Sequence, residues 1–190
     1  MKGKISKKQQ GYVVGLYYGD GYAYYHQKSR HYTVEFFLNS LKDDDILGFL
    51  KEILTNEGYN LFINKDKRGN WWKIKINSKT LYLYLKEYTL KKLEKETKDF
   101  KIGFVSGVID AEGYVRKSTI EVINTDFELL KRSQKILSDI NVRSSLKKRV
   151  KSQKSTKNSF RLLVSTKVKN KKHCSQKVLR LYPPKNQKNY

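Results

Sequence analysis

Residues 104–114 read FVSGVIDAEGY and residues 12–22 read YVVGLYYGDGY, so the chain carries one pattern twice. Each copy predicts the last turns of an apolar helix that ends at a glycine just after an acidic residue. Small residues stand four apart in both copies, at Gly15 and Gly19 and at Gly107 and Ala111. Residues four apart share one helix face, and small ones let another backbone come close. The repeat therefore predicts two helices that pack directly against each other.

This packing brings one acid from each copy to the same place. Asp20 and Glu112 come last in their helices, where the helix dipole disfavours a carboxylate. A divalent cation offsets the repulsion between two carboxylates, and Mg²⁺ suits oxygen ligands completed by water and substrate phosphate. The pair predicts a metal-dependent phosphodiesterase site. Asp110 has Tyr18 as its counterpart in the first copy, so we expect Asp110 to form a cap or a local pair instead.

The two segments resemble the paired motifs of LAGLIDADG homing endonucleases. VSGVIDAEG at residues 105–113 is a close match and VVGLYYGDG at residues 13–21 a looser one, and the resemblance covers nearly the whole chain. It implies that the motif helices form the interface of two similar halves and that their terminal acids bind the metals that cleave both DNA strands. It also makes the backbone carbonyls of Gly19 and Ala111 metal ligands. Mg²⁺ is the expected ion, and Mn²⁺ or Ca²⁺ fits the same sites.

The composition favours a polyanionic partner. The 190 residues include 41 Lys and Arg against 18 Asp and Glu, which gives a formal net charge of +23. The single cysteine excludes an internal disulfide, and the three histidines lack zinc-ligand spacing. No apolar run approaches the roughly 20 residues of a membrane span, and the polar start lacks the apolar segment of a signal peptide. We therefore expect a cytoplasmic protein with no membrane partner, and the resemblance implies a prokaryotic one with access to the chromosome.

Hydrophobic periodicity predicts an α+β fold of two pseudo-symmetric αββαββα halves. Two antiparallel sheets form a DNA-binding saddle, and the motif helices lie at the interface. The seven elements of the first half are expected at residues 7–19, 21–28, 31–38, 42–57, 61–67, 71–77 and 78–88. The seven elements of the second half are expected to begin at about residue 99 and to continue at 113–117, 119–124, 126–140, 142–149, 160–165 and from about 166. The halves are assigned to residues 1–88 and 99–182, with a linker at 89–98 and a basic tail at 183–190.

Strand alternation places one set of side chains on the sheet face opposite the core. Arg and Lys bind phosphates or guanine edges, and polar and aromatic side chains adjust base contacts in the major groove. In the first half the set is Tyr22, Tyr24, His26, Lys28, His31, Thr33, Glu35, Trp71, Lys73 and Lys75; in the second it is Tyr114, Arg116, Thr119, Glu121, Arg143 or Ser144, Lys147, Arg149 and Arg161. The alternative is a solvated face, but so many exposed aromatic residues favour a binding surface.

The resemblance also implies that a basic and a polar residue from each half border the metals and stabilise the transition state. Lys75 resembles the family's strand lysine, and Lys42 resembles the lysine before the second helix. Asn39 and Asn124 are the candidates for the polar position, although Leu41 stands where a glutamine is frequent.

The second half departs from this pattern. Leu163 stands where Lys75 maps, so Arg116 or Lys117 has to substitute for the lysine. We therefore expect two active centres of unequal chemistry.

These features predict a monomeric, site-specific, Mg²⁺-dependent double-strand DNA endonuclease that cuts across the minor groove of a long asymmetric target. The layout resembles small archaeal enzymes encoded in ribosomal RNA introns. One alternative is an RNA maturase or a non-cleaving DNA-binding regulator on the same scaffold, which adds intron RNA as a partner. Another is a basic ribosomal-type RNA-binding protein, which predicts no pairing of Asp20 with Glu112.

Overall fold

The computed structural model describes residues 4–66, 69–116, 119–149 and 158–165. These residues form five α-helices and two four-stranded antiparallel sheets. The first half contains α1 (Lys7–Asp20), β1 (Gly21–His26), β2 (His31–Asn39), α2 (Asp44–Asn56), β3 (Phe62–Lys65), β4 (Trp71–Asn77) and α3 (Lys79–Glu87). The second contains α4 (Lys98–Glu112), β5 (Gly113–Arg116), β6 (Thr119–Asn124), α5 (Phe127–Asp139), β7 (Ser144–Lys148) and β8 (Phe160–Ser165). The predicted α+β fold of two repeated halves is confirmed.

Local sequence signals set the ends of the helices. Ser6 Oγ accepts a hydrogen bond from Gln9 N at 3.2 Å, and Gln9 Oε1 accepts one from Ser6 N at 2.9 Å, so a capping box begins α1. Ser78 caps α3, because its Oγ accepts a hydrogen bond from Leu81 N at 3.2 Å. Gly58 follows α2 with a φ of 84°, which only glycine adopts easily. The observed ends of the described elements lie within two residues of the predicted ones.

The helices α1 and α4 meet backbone to backbone. A Cβ atom added at Gly15 would overlap the carbonyl oxygen of Phe104, and one added at Gly107 would overlap that of Tyr12. Any side chain at these positions would force the helices apart. The same close approach to backbone occurs at Gly11 and Gly103, whereas Gly19 packs against the Cβ atom of Ala111. The predicted packing of the motif helices is therefore confirmed, and Gly11 and Gly103 extend it by one turn beyond the sequence repeat.

Each sheet buries one face against the helices. The strand orders are β1-β2-β4-β3 and β5-β6-β8-β7, so β2 and β6 occupy equivalent positions. Val34, Phe36 and Leu38 alternate along β2 and are at most 1% exposed, which places them in the core. The core is one continuous cluster that includes residues of both halves. We call the opposite face of each sheet the outer face.

The segment predicted to be a charged linker is partly folded. It contains a 3₁₀ helix (Lys92–Lys95), and Leu93 within it is 2% exposed. The apolar side chain of Leu93 anchors this segment to the core, which the surrounding charges conceal in the sequence. The boundaries assigned to the halves stay a prediction.

Several predictions concern residues outside the described part of the chain. These are the role of Lys117, the closing helix from about residue 166 and the basic tail 183–190. Among the helices that are described, none combines the length and the hydropathy that crossing a membrane requires.

Candidate active site and nucleic-acid interface

Asp20 and Glu112 lie close together where α1 and α4 end. Gly19 packs against Ala111, and a Cβ atom added at Gly19 would lie 3.2 Å from Glu112 Cγ. Burial raises the pKa of Asp20 to about 7, with further contributions from the charges of Glu112 and Asp43. Burial also raises the pKa of Glu112, although a hydrogen bond from Asn124 lowers it in part. The fold therefore holds two carboxyl groups where their ionised forms are disfavoured.

Asn124 contacts one of these acids directly. Its Nδ2 donates to Glu112 Oε1 at 2.9 Å, and its Oδ1 accepts from Asp126 N at 2.8 Å. The second hydrogen bond fixes the amide at the start of α5 and thereby orients the first. Asn124 thus determines where the Glu112 carboxylate points.

Asn39 has a different environment from Asn124. Its Oδ1 accepts from Leu41 N at 2.9 Å, and its backbone N donates to Asp43 Oδ2 at 2.9 Å. The register pairs Asn39 with Trp71 on the outer face. Asn124 comes two residues after the buried Val122 on β6 and therefore lies on the core face. The two asparagines therefore lie on opposite faces of their sheets, although the sequence predicted equivalent roles for them.

The oxygen atoms gathered here suit a hard divalent cation. The two carboxylates form an incomplete ligand set, of the kind that Mg²⁺ completes with water and phosphate oxygens. Gly19 and Ala111, whose carbonyls are the other predicted ligands, directly precede the two acids in the chain. Among the described residues, no group of three or more His, Cys, Asp and Glu side chains is placed to hold a metal ion. The two carboxylates present fit a divalent cation only if it takes further oxygen ligands from outside the chain.

The predicted basic residues are distributed unequally between the halves. Lys75 is half-buried on β4, where it pairs with Glu35 and Phe62. Leu163 occupies the corresponding place on β8, where it pairs with Glu121. The register thus agrees with the predicted substitution of leucine for lysine. Lys42 is exposed just before α2.

The predicted DNA-contacting residues of the strands share the outer faces. Tyr22, Tyr114 and Trp71 are 58%, 62% and 43% exposed. Also on these faces, by register, are Tyr24, His26, His31, Lys73, Lys75, Arg116, Thr119, Lys147 and Arg161. Arg143 and Arg149 flank β7 and are exposed, as is Lys28 in the turn after β1. Ser144, the alternative to Arg143, pairs with the buried Val164 and so faces the core.

Three predicted contact residues differ from expectation because they are buried. Thr33, Glu35 and Glu121 are 1%, 3% and 3% exposed, although the register puts them on the outer faces. Side chains from neighbouring strands cover the two acids. Tyr24 OH donates to Glu35 Oε1 at 3.2 Å and Lys73 Nζ lies 3.0 Å from the same atom. These carboxylates contact other side chains of the outer face rather than solvent.

The surroundings of Asp43 and the partner of Asp110 also differ from the sequence prediction. Asp43 falls within the predicted element 42–57 and was assigned no part in the site, but it lies near enough to raise the pKa of Asp20. Its proximity depends on how β2 and α2 fold back, which no local pattern indicates. Asp110 was expected to pair locally. Instead Tyr12 OH donates to Asp110 Oδ2 at 3.0 Å across the two helices.

Comparison with known sequences agrees with the sequence resemblance. Residues 99–176 match the model of the LAGLIDADG-like domain family. An uncharacterized protein of Methanocaldococcus jannaschii is 34% identical over 141 residues, which are 71% of this chain and 49% of that protein. This chain thus spans about half the length of the curated relative it matches.

Comparison with solved structures establishes the fold. The crystal structure of the homing endonuclease I-DmoI with DNA and manganese is 20% identical, with a TM-score of 0.65 over 84% of this chain and 90% of that one. The structure of I-DmoI with DNA and calcium is 22% identical, with a TM-score of 0.65 over 84% of this chain and 83% of that one. The structure of full-length DUF199/WhiA from Thermatoga maritima is 14% identical, with a TM-score of 0.58 over 84% of this chain and 51% of that one.

Proposed function

This chain has the two-domain LAGLIDADG fold and a LAGLIDADG-like domain, and on that premise we propose that it is a site-specific double-strand DNA homing endonuclease. The observation that carries the proposal is the meeting of Asp20 and Glu112 at the ends of two helices packed through glycine. A binding protein gains no affinity for phosphate from two clustered carboxylates. A nuclease needs them to hold cations beside the scissile phosphates.

The proposed cofactor is Mg²⁺, held by the side chains of Asp20 and Glu112 and the backbone carbonyls of Gly19 and Ala111. Solved structures of I-DmoI contain manganese, magnesium or calcium, which supports a divalent ion. When bound, the ion acidifies water and neutralises the charge on the leaving 3′ oxygen. The role of the protein is to fix the ligands, and the hydrogen bond from Asn124 does this for Glu112.

As the resemblance implies, basic residues are proposed to stabilise the additional negative charge on phosphorus in the transition state. In the first half these are Lys75 and Lys42, with Asn39 as the polar partner. In the second half Leu163 replaces the lysine; of the two predicted substitutes, Arg116 is held by Glu121, so Lys117 is the proposed residue for this role. The two strands are therefore expected to be cut at unequal rates.

The proposed partner is duplex DNA bound along the two outer faces. The net charge of +23 and the aromatic and basic side chains on these faces suit major-groove contacts and phosphate binding. The solved structures of I-DmoI in complex with DNA support the same partner. We propose that the chain acts as a monomer in the prokaryotic cytoplasm, is encoded in an intron, and cuts across the minor groove between the sheets.

A second candidate function is an RNA maturase or a regulator that binds DNA without cutting it. In the second half Leu163 occupies the position equivalent to Lys75. This difference favours the second candidate, since one of the two centres lacks that cation. The same fold occurs in WhiA. Under this candidate, intron RNA joins or replaces DNA as the partner.

Incubation with a plasmid distinguishes these functions. The plasmid carries the intronless form of the locus that encodes this chain, and the protein is added with Mg²⁺ or with EDTA. A nuclease linearises the plasmid only with Mg²⁺, and Asp20→Asn or Glu112→Gln abolishes cutting without abolishing binding. Asp110→Asn is the matched control, because Asp110 lies two residues from Glu112 but contacts Tyr12. Plasmid retardation with no cutting by the wild-type protein would instead support the second candidate.

A further inference from the structure

Two buried glutamates occupy equivalent places in the two sheets. Glu35 pairs with Tyr22 on β1, and Glu121 pairs with Tyr114 on β5. Both lie on the outer face of a central strand, and both are 3% exposed. An acidic side chain is rarely buried on a surface that binds DNA unless it has partners there. The identity of these partners differs between the halves.

In the second sheet the partners of Glu121 are two arginines. Arg116 Nε lies 3.2 Å from Oε2, and Arg161 Nη1 donates to Oε1 at 3.3 Å. The arginines come from the strands on either side, β5 and β8, and converge on one carboxylate. Arg116 is further oriented by the ring of Tyr114, whose centroid lies 5.9 Å from its guanidinium carbon. We call this set the Arg–Glu–Arg array.

In the first sheet the two equivalent positions hold donors whose geometry is less fixed. Tyr24 and Lys73 contact Glu35, and they correspond by register to Arg116 and Arg161. Lysine is a compact point charge on a flexible stem, and tyrosine offers one hydroxyl. Arginine instead presents a rigid planar fork of five N–H donors. The two sheets therefore offer different donor geometry around an equivalent carboxylate.

The array keeps donors available for a ligand. Each guanidinium group uses one nitrogen for Glu121, and Arg161 Nε is buried, so the terminal N–H groups of the two forks are the donors left for a ligand. The side chains of Arg116 and Arg161 are 63% and 36% exposed, whereas that of Glu121 is 4% exposed. Glu121 therefore lies beneath the arginines and restricts their rotamers, while the arginines face outward. A restricted fork loses less entropy when it binds than a free one.

We propose that Glu121 is a positioning residue that holds Arg116 and Arg161 as a guanine-reading pair, so that the half-site bound by the second sheet contains guanine where the first half-site does not require it. This inference rests on the proposed function. The chemistry is the bidentate fit of a guanidinium group to the O6 and N7 acceptors of guanine in the major groove. Because both arginines flank one carboxylate, they contact closely spaced base pairs.

Selection from a library of randomised duplexes tests the proposal. The full-length protein is incubated with the library in Ca²⁺, bound duplexes are recovered and sequenced, and the same is done with Glu121→Gln. The wild-type protein is expected to enrich guanine at one or two positions in one half of the motif. Glu121→Gln is expected to reduce that preference by about tenfold. Affinity for an unrelated duplex should not fall, because the change removes a negative charge.

Two further variants separate positioning from folding. Arg161→Lys keeps the charge at a half-exposed site and is expected to weaken the guanine preference at one position only. Glu35→Gln is the matched control from the first sheet, and it should leave the guanine positions unchanged. A guanine preference that survives Glu121→Gln, or its absence from the wild-type motif, overturns this inference but not the proposed function. Enrichment of no sequence at all by the wild-type protein overturns both.

Discussion

The carboxyl group of Asp20 is subject to three effects that oppose its ionisation: burial, the charge of Glu112 and the charge of Asp43. Its position at the C-terminal end of α1 adds the unfavourable end of the helix dipole. A residue in such surroundings costs stability unless it is neutralised. The usual explanation for retaining it is function, and cation binding is the function that its neighbours suit.

This cost gives the metal-free protein a specific pH dependence. The pKa of Asp20 is about 7 in the folded protein against a usual value of 3.8. The folded state therefore binds the proton more tightly, so the contribution of Asp20 to stability is greatest below about pH 4 and declines as the pH rises towards 7. The slope is at most about 1.4 kcal/mol per pH unit.

Thermal unfolding in EDTA measures this effect. Between pH 5 and pH 8 the Tm of the wild-type protein should fall relative to that of Asp20→Asn, which has no proton to lose. Mg²⁺ added at pH 8 should raise the wild-type Tm and leave that of the variant unchanged. Parallel curves for the two proteins would show that Asp20 is not a strained carboxylate.

At the scale of elements, the helix pair depends on the absence of side chains. A Cβ atom at Gly107 would overlap the carbonyl oxygen of Tyr12 and lie 2.6 Å from Leu16 N. Backbone atoms in the middle of a helix cannot rotate away as a side chain can. Separation of α1 from α4 is the only relief, and it would also separate Asp20 from Glu112.

Gly107→Ala should therefore lower the free energy of unfolding by about 3 kcal/mol or more. Gly48→Ala is the matched control, because an added Cβ there meets nothing within 4 Å and α2 is exposed at that point. The control should be stabilised by about 0.5–1 kcal/mol, since alanine is the better helix former. Urea unfolding compares the two variants, and equal effects would contradict the close approach of the helices.

The sequence contained enough information for the elements but not for all of their contacts. Alternation along β2 correctly predicted that Val34 and Phe36 face the core. It also placed Glu35 on the outer face, but it could not show that Lys73 and Tyr24 cover it, because that depends on neighbouring strands. The same limit applies to Asp43, whose effect on Asp20 arises only when α2 packs beside α1.

At the scale of the whole molecule, the two halves share one architecture but differ in chemistry. Lys75 and Leu163 occupy equivalent places on β4 and β8. The first outer face carries Tyr22, Trp71 and lysines, and the second carries arginines. Such a molecule suits an asymmetric target and an unequal pair of cleavage reactions.

Unequal centres should produce nicked DNA as an intermediate. Lys75→Met is expected to slow the cleavage of one strand by roughly a hundredfold, by loss of one cation near the developing charge. Leu163→Met is the matched control at the equivalent position and should change neither rate. Duplexes labelled on one strand or the other give the two rates separately. Equal slowing of both strands by Lys75→Met would contradict the assignment of one lysine to one centre.

The most direct measurement is the anomalous scattering of Mn²⁺ in a crystal of the wild-type protein bound to its selected duplex. The meeting of the two motif helices predicts manganese peaks in contact with the carboxylates of Asp20 and Glu112 and with oxygen atoms of the scissile phosphates. Peaks at other positions, with both carboxylates free of metal, would contradict a shared cation site at the ends of α1 and α4.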